Sequence, residues 1–214
     1  LKLSDGRIAK LVFSPELIDQ KFDLEKLEIA FNASTNIIQD NRNVIKKVTL
    51  GDQQTVIKSF KPPNVLQGII YRYLRTTKAR RSYEHSATLK TQSIDTPKPL
   101  GYVEVFNRFR LCQSYFISDL LNYDFLIRDI ISQPHKDQTD ILEQFTQFTF
   151  NMDQKGVLHL DYSLGNIGIN KENNHYRFSL FDINRMRFGE VSAIEGIKNF
   201  SRISSEPETI TLLS

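Results

Sequence analysis

HLDYSLGN, residues 159–166, and FDIN, residues 181–184, are the stretches that decide the fold of this chain. Between them, two alternating apolar segments flank a cluster of turn-forming residues at 170–174. This pattern predicts a β-hairpin. Because a hairpin returns its two ends to the same edge, Asn166 and Asp182 are expected to lie side by side.

The spacing of the polar residues in these stretches indicates a chemistry. His159, Asp161 and Asn166 form an H-x-D-x-x-x-x-N pattern, and Asp182 ends a hydrophobic strand. Phosphoryl transfer requires an aspartate that accepts the proton of the attacking hydroxyl, and oxygen ligands that hold Mg²⁺ against nucleotide phosphates. We therefore predict Asp161 as the base, His159 as a further catalytic residue, and Asn166 and Asp182 as metal ligands. The alternative is that these are ordinary turn residues beside strands.

A cationic side chain for the phosphates is predicted upstream. Residues 44–50 and 54–60 form a second predicted hairpin, and its second strand contains Lys58 in the sequence V-I-K-S-F. Lys58 matches the lysine of the V-A-I-K strand, which reaches the α- and β-phosphates. Glu84 lies in a helical pattern and is predicted to pair with Lys58. The alternative is that Glu84 is a solvated residue on the helix surface.

Together these features resemble the protein-kinase-like fold, and the surrounding sequence is similar to the bacterial lipopolysaccharide kinases, the Kdo and core-heptose kinases. The narrower resemblance is found in four segments: IKSFK at 57–61, the basic run at 71–84, TPKPLGY at 96–102 and FDINRM at 181–186. It implies a cytoplasmic enzyme that uses ATP and Mg²⁺ to phosphorylate a sugar hydroxyl of the lipopolysaccharide core. Another small-molecule or protein kinase of this fold, or a nucleotide-binding pseudokinase, remains an alternative.

The sequence departs from the general kinase pattern in two places. The turn before the Lys58 strand is QDNRN, residues 39–43, and contains no glycine. Asparagine and aspartate tolerate turn conformations, and Arg42 is predicted to supply charge for nucleotide binding there. After Asp182, only 32 residues follow and no A-P-E sequence occurs, so a short C-terminal lobe without activation-loop control is expected.

The distribution of apolar residues predicts an α+β, two-lobed fold. The expected N-terminal lobe, residues 1–117, has five antiparallel strands and one main helix, and the C-terminal lobe, residues 118–214, is small and mainly helical. A weak helical pattern is present at 15–27. A stronger one at 141–152 predicts a helix that buries three aromatic residues: Phe145, Phe148 and Phe150.

Composition restricts the class of protein. At 214 residues and 40% hydrophobic, the chain can bury a sizeable core, and it lacks the run of about 18 apolar residues that spans a bilayer. The single cysteine, Cys112, lies in an apolar run and indicates a reducing compartment. Histidine and cysteine spacing does not predict a structural zinc site.

The charge distribution is uneven although the net charge is only +3. Between residues 61 and 83 there are six basic residues and no acidic one. Such a stretch is suited to anionic lipid head groups or a phosphorylated acceptor, which predicts peripheral contact with the cytoplasmic face of the inner membrane. A solvated helix face explains it equally well. Nucleic-acid binding is not expected, because no recognised module accompanies the basic residues.

Overall fold

The computed structural model describes residues 1–18, 23–133, 135–173 and 175–203. By residue contacts the chain forms two compact units. The first comprises Leu1–Ala87 and Pro97–Leu121, and the second comprises Thr88–Thr96 and the described residues from Asn122 onward. The lobes predicted at 1–117 and 118–214 differ from these units at 88–96 and 118–121, and their boundary stays a prediction.

The described part of the first unit contains six strands and four helices. In chain order they are β1 (Ile8–Phe13), α1 (Pro15–Ile18), α2 (Leu24–Ala33), β2 (Ile37–Asp40), β3 (Val44–Leu50), β4 (Gln53–Phe60), α3 (Val65–Tyr73), α4 (Lys78–Thr91), β5 (Pro99–Phe106) and β6 (Leu111–Asp119). The last residues of α4 belong to the second unit. The helical pattern at 15–27 corresponds to α1 and the start of α2, and residues 19–22 lie outside the described residues.

The sheet of the first unit is antiparallel and has the order β1-β5-β6-β4-β3-β2. The predicted count of five strands is therefore wrong. The additional strand is β1, which pairs with β5 from Ile8 opposite Phe106 to Phe13 opposite Gly101. Leu17 and Leu27 from the first two helices are fully buried in a core cluster with strand residues such as Ile57. This packing supports the sheet that positions Lys58.

Among its described residues, the second unit combines short strands with three helices. Its elements are β7 (Phe125–Leu126), α5 (Ile127–Ser132), α6 (Gln138–Gln154), β8 (Val157–His159), β9 (Ile167–Glu172), β10 (His175–Leu180), β11 (Met186–Phe188) and α7 (Ala193–Phe200), with a 3-10 turn at Leu164–Asn166. β9 and β10 form the predicted hairpin, from His175 opposite Glu172 to Leu180 opposite Ile167. β7 extends this hairpin to three strands, and β8 pairs with β11.

The core of the second unit is centred on α6. Phe145 is fully buried and packs against the rings of Tyr162 and Phe178. The expectation that Phe150 is buried is wrong, because its side chain is 57% exposed. Its neighbour Thr149 faces the core instead, where its hydroxyl shares a 2.7 Å hydrogen bond with the Tyr162 hydroxyl. In the described part of the chain, no helix is both long and apolar enough to cross a membrane.

Candidate active site

The loop that carries the H-x-D-x-x-x-x-N pattern is held in place through its backbone. It leaves β8 at His159 and ends in the 3-10 turn at Asn166. The Leu160 N–H donates to the Arg185 carbonyl at 2.8 Å, and the Leu160 carbonyl accepts from Arg202 Nη1 at 2.7 Å. The loop is therefore fixed on one side by the strand after Asp182 and on the other by the segment after α7.

His159 connects this loop to the end of the hairpin. Its side chain is fully buried, with Nδ1 accepting from the Asp161 N–H at 3.1 Å and Nε2 lying 3.0 Å from the Phe181 carbonyl oxygen. Because Nδ1 accepts a hydrogen bond, Nε2 carries the proton and donates, so the ring is neutral. Burial lowers the pKa of His159, although the Phe181 carbonyl and the charges of Asp182 and Asp161 act in the opposite direction. The contacts of His159 support a positioning role.

The lowered pKa of His159 predicts a pH dependence of stability. The folded state binds fewer protons at this ring than the unfolded state, so its contribution is complete above the ordinary histidine pKa of about 6.5 and is lost as the pH falls below it. We expect a slope of up to about 1.4 kcal/mol per pH unit between pH 6.5 and the folded-state pKa. Denaturant unfolding from pH 7.5 to 5 should show this slope, and His159→Gln should reduce it. An unchanged slope would contradict the prediction, and His175→Gln, at an exposed position, is the control.

Asp161 combines a fixed backbone with an accessible carboxylate. Its N–H is bound to His159, and its carbonyl accepts from Asn166 Nδ2 at 3.0 Å. The side chain is 51% exposed, and Oδ2 lies 3.7 Å from Arg185 Nη1. A carboxylate in this setting can accept a proton from a bound hydroxyl.

The predicted hairpin brings Asn166 next to Phe181, the residue before Asp182, and the pairing of Asn166 with Asp182 itself stays a prediction. The Phe181 N–H donates to the Asn166 carbonyl at 2.8 Å. Gly168 leaves room for the Phe181 ring, because a Cβ at that position would lie 2.7 Å from the ring. Asp182 itself has a φ of 49°, a left-handed conformation that aspartate tolerates better than most residues. Its Oδ1 accepts from Asn184 Nδ2, which orients the carboxylate.

The side-chain oxygens of Asn166 and Asp182 are of a kind that suits Mg²⁺. Carboxylate and amide oxygens are hard ligands, and Mg²⁺ in kinases is held by one or two such groups together with substrate phosphates. Because Asn166 uses Nδ2 in its bond to Asp161, its Oδ1 is the atom that can bind a metal. Among the described residues, no group of three or more His, Cys, Asp or Glu side chains has a metal-site arrangement. The role of Asn166 and Asp182 as metal ligands stays a prediction.

The remaining predicted site residues lie in the first unit. Lys58 is buried on β4, between Ile45 of β3 and Phe116 of β6 in the ladder, with Nζ 5.3 Å from the centre of the Phe60 ring. Glu84 lies on α4 and its Oε1 is 2.6 Å from Arg80 Nε. That contact was not predicted, and the pair of Glu84 with Lys58 stays a prediction.

Arg42 lies in the turn between β2 and β3 and is exposed. This turn contains no glycine and closes the hairpin of β2 and β3 at the edge of the sheet. The role of Arg42 in nucleotide binding also stays a prediction.

The sequence did not predict three residues that contact the candidate site residues or their loop. Arg185 contacts the Asp161 carboxylate, Asn184 orients Asp182, and Arg202 holds the Leu160 carbonyl. The first two lie within the FDINRM segment, so their closeness to Asp182 was a usable signal. No sequence signal indicated Arg202, because its contact with Leu160 depends on where the segment after α7 lies.

Comparison with known proteins shows a likeness in structure. No protein-family model and no curated protein matches the chain in sequence. A solved structure described as WaaP in complex with acyl carrier protein matches with a TM-score of 0.65 and 12% sequence identity, over 95% of this chain and 87% of that chain. WaaP has a protein-kinase-like fold, and at this level of sequence identity the likeness shows a shared fold alone. The α+β, kinase-like fold expected from the sequence is therefore confirmed.

Proposed function

We propose that this protein is an ATP-dependent kinase that phosphorylates a sugar hydroxyl of the lipopolysaccharide core, either Kdo or heptose. The observation that carries the proposal is the arrangement of Asp161, Asn166 and Asp182. The backbone of Asp161 is bonded to the buried, neutral His159 and to Asn166, while its carboxylate stays accessible. The carbonyl of Asn166 accepts from the N–H of Phe181, the residue before Asp182.

Each residue of this set is assigned a role in the transfer. Asp161 orients the acceptor hydroxyl and accepts its proton, and His159 keeps the loop and the hairpin end in register. Lys58 binds the α- and β-phosphates, with Glu84 as its proposed partner and Arg42 as an additional cation. Asn166 and Asp182 would hold Mg²⁺, which supplies charge neutralisation on the nucleotide phosphates.

The kinase-like fold supports the use of ATP, and the acceptor is inferred from the resemblance to lipopolysaccharide kinases. The decisive experiment measures ATP turnover with purified lipid A–core acceptors, in parallel with acceptor-free buffer and generic protein substrates. We expect turnover that depends on the lipid A–core acceptor. Turnover only with soluble sugars or proteins would indicate another kinase of this fold. Nucleotide binding without turnover on any acceptor would indicate a pseudokinase.

Helix α3 supports the proposed contact with a membrane. Its side chains and the residue after it form an exposed apolar surface, made of Val65, Leu66, Ile69, Tyr73 and Leu74. Arg72 and Arg75 lie beside this surface, and Lys78 follows at the start of α4. Exposed apolar residues next to cations are typical of segments that lie on anionic bilayers.

Charge reversal tests this contact. Each basic residue near an anionic membrane surface contributes about 1 kcal/mol of attraction, so Arg72→Glu, Arg75→Glu and Lys78→Glu together should greatly weaken co-sedimentation with anionic vesicles at low salt. The matched control reverses three exposed lysines elsewhere in the first unit: Lys2, Lys26 and Lys47. Equal losses in both triple variants, or no loss in either, would show that the α3–α4 cations are only a solvated surface.

A further inference from the structure

The first unit contains a cationic cavity that no part of the proposed transfer uses. Its volume is about 420 Å³, within the usual range for small-molecule sites. It is bounded by β1, β5, the end of α3 and the start of α4. The described residues that line it include four cations and one carboxylate: Lys10, Arg72, Arg75, Arg80 and Glu104.

The carboxylate of this cavity is already engaged. Glu104 is buried, and its Oε1 accepts a 2.6 Å hydrogen bond from the Thr77 hydroxyl. Lys10 is directly opposite Glu104 in the β1–β5 ladder, and Arg80 forms its ion pair with Glu84. One carboxylate therefore faces several cations, and the cavity keeps a surplus of positive charge.

Two arginines account for most of that surplus. The Arg72 guanidinium lies 4.8 Å from the centre of the Phe106 ring, which holds it at the cavity wall without neutralising it. Arg75 is exposed at the rim. Within the described part of the chain, neither arginine forms an ion pair, so both guanidinium groups can receive an anionic ligand.

The start of α4 adds to the positive potential. Thr77 caps the helix, with its hydroxyl oxygen accepting from the Arg80 N–H at 3.1 Å. The first turn carries Lys78, Arg80 and Arg81 and no acidic residue, although the positive end of a helix dipole favours acidic side chains there. Cations in the first turn repel the helix dipole and each other. A bound anion at the cavity would relieve both repulsions.

We propose that this cavity binds a phosphate monoester. A monoester carries up to two negative charges and three terminal oxygens, which match guanidinium forks better than a singly charged diester does. The volume exceeds that of phosphate alone and leaves room for the attached sugar or glycerol. Tyr71 and Tyr73 line the same cavity and provide aromatic surface and hydroxyl groups for that portion. The monoester is either a soluble sugar phosphate or the head group of a lipid.

Binding measurements without ATP test this site. Calorimetry with glucose 1-phosphate tests the soluble source. Short-chain phosphatidic acid, compared with short-chain phosphatidylglycerol, tests the lipid source and separates monoester from diester. Both lipids are kept below the concentration at which they aggregate, so that no anionic bilayer is present. The test variant is Lys10→Gln with Arg75→Gln, since both side chains are exposed and their loss should not disturb folding. Removing two hydrogen-bonding cations should weaken monoester binding by at least about tenfold.

The control variant, Lys2→Gln with Lys47→Gln, removes the same charge from exposed positions outside the cavity. Arg75→Lys keeps the positive charge but removes the planar guanidinium group, which can donate two hydrogen bonds to one phosphate. This variant should also bind the monoester more weakly. Selective binding of either monoester, lost in the test variant and kept in the control, supports the site and identifies its source. No monoester binding by the wild type, equal binding of phosphatidylglycerol, or equal loss in the control would each overturn the proposal. Because no turnover is measured, such a failure would leave the kinase assignment intact.

Discussion

Asp161→Asn is expected to lower turnover by about 10²- to 10⁴-fold while the fold and nucleotide binding are preserved. The amide cannot accept the proton of the acceptor hydroxyl, but it has nearly the same shape as the carboxylate. The bonds that fix this residue involve its backbone, through His159 Nδ1 and Asn166 Nδ2, so the loop geometry should survive. Steady-state kinetics with a saturating acceptor, together with circular dichroism and nucleotide titration, measure the effect.

A matched control is Asp140→Asn, which makes the same chemical change at an exposed position on α6. It should turn over like the wild type. If Asp161→Asn were as active as this control, Asp161 could not be the base. Arg185→Ala provides a second comparison, because it removes the cation 3.7 Å from the Asp161 carboxylate without removing the base. Its effect should be smaller than that of Asp161→Asn.

Asp182→Asn is expected to weaken Mg²⁺-dependent nucleotide binding by more than the roughly 10- to 100-fold that follows loss of a residue that only orients a metal ligand. The substitution removes a charged oxygen from an ion that the protein holds with few groups. Asparagine is preferred to alanine here because it adopts a φ of 49° at little cost, so backbone strain does not obscure the result. Titration of a nucleotide with and without Mg²⁺ measures the change.

Two companion variants rank the groups around the ion. Asn166→Ala should act in the same direction less strongly, since an amide oxygen carries no net charge. Asn184→Ala removes the donor to Asp182 Oδ1 and should cost about 10- to 100-fold in metal-dependent affinity. Binding without Mg²⁺ should be nearly unchanged in all three variants. Identical metal dependence in Asp182→Asn and the wild type would place the ion elsewhere.

Local sequence patterns predicted the parts of the fold that depend on local interactions. The hairpins β3–β4 and β9–β10 were predicted from alternating apolar residues on either side of turn formers, and both are present. The helix around Phe145 was also predicted, but its buried face was assigned incorrectly at Phe150. In the sequence TQFTF, residues 146–150, the apolar spacing is compatible with more than one buried helix face. The hydrogen bond between Thr149 and Tyr162 is formed on the inward face, and the sequence does not show that partner.

The sequence by itself determined the hairpin and the loop that carry the candidate site residues Asp161, Asn166 and Asp182, because both elements depend on local interactions. Only the tertiary structure decided which residues contact that loop and hairpin and which form the cationic cavity. Arg202 reaches the Leu160 carbonyl from 42 positions away, and Lys10 faces Glu104 across a strand pair that closes a loop of more than 80 residues. Such contacts depend on how helices and strands pack together, so they cannot be predicted from a short-range sequence pattern. Strand β1 was not predicted for the same reason, since its partner β5 is distant in sequence.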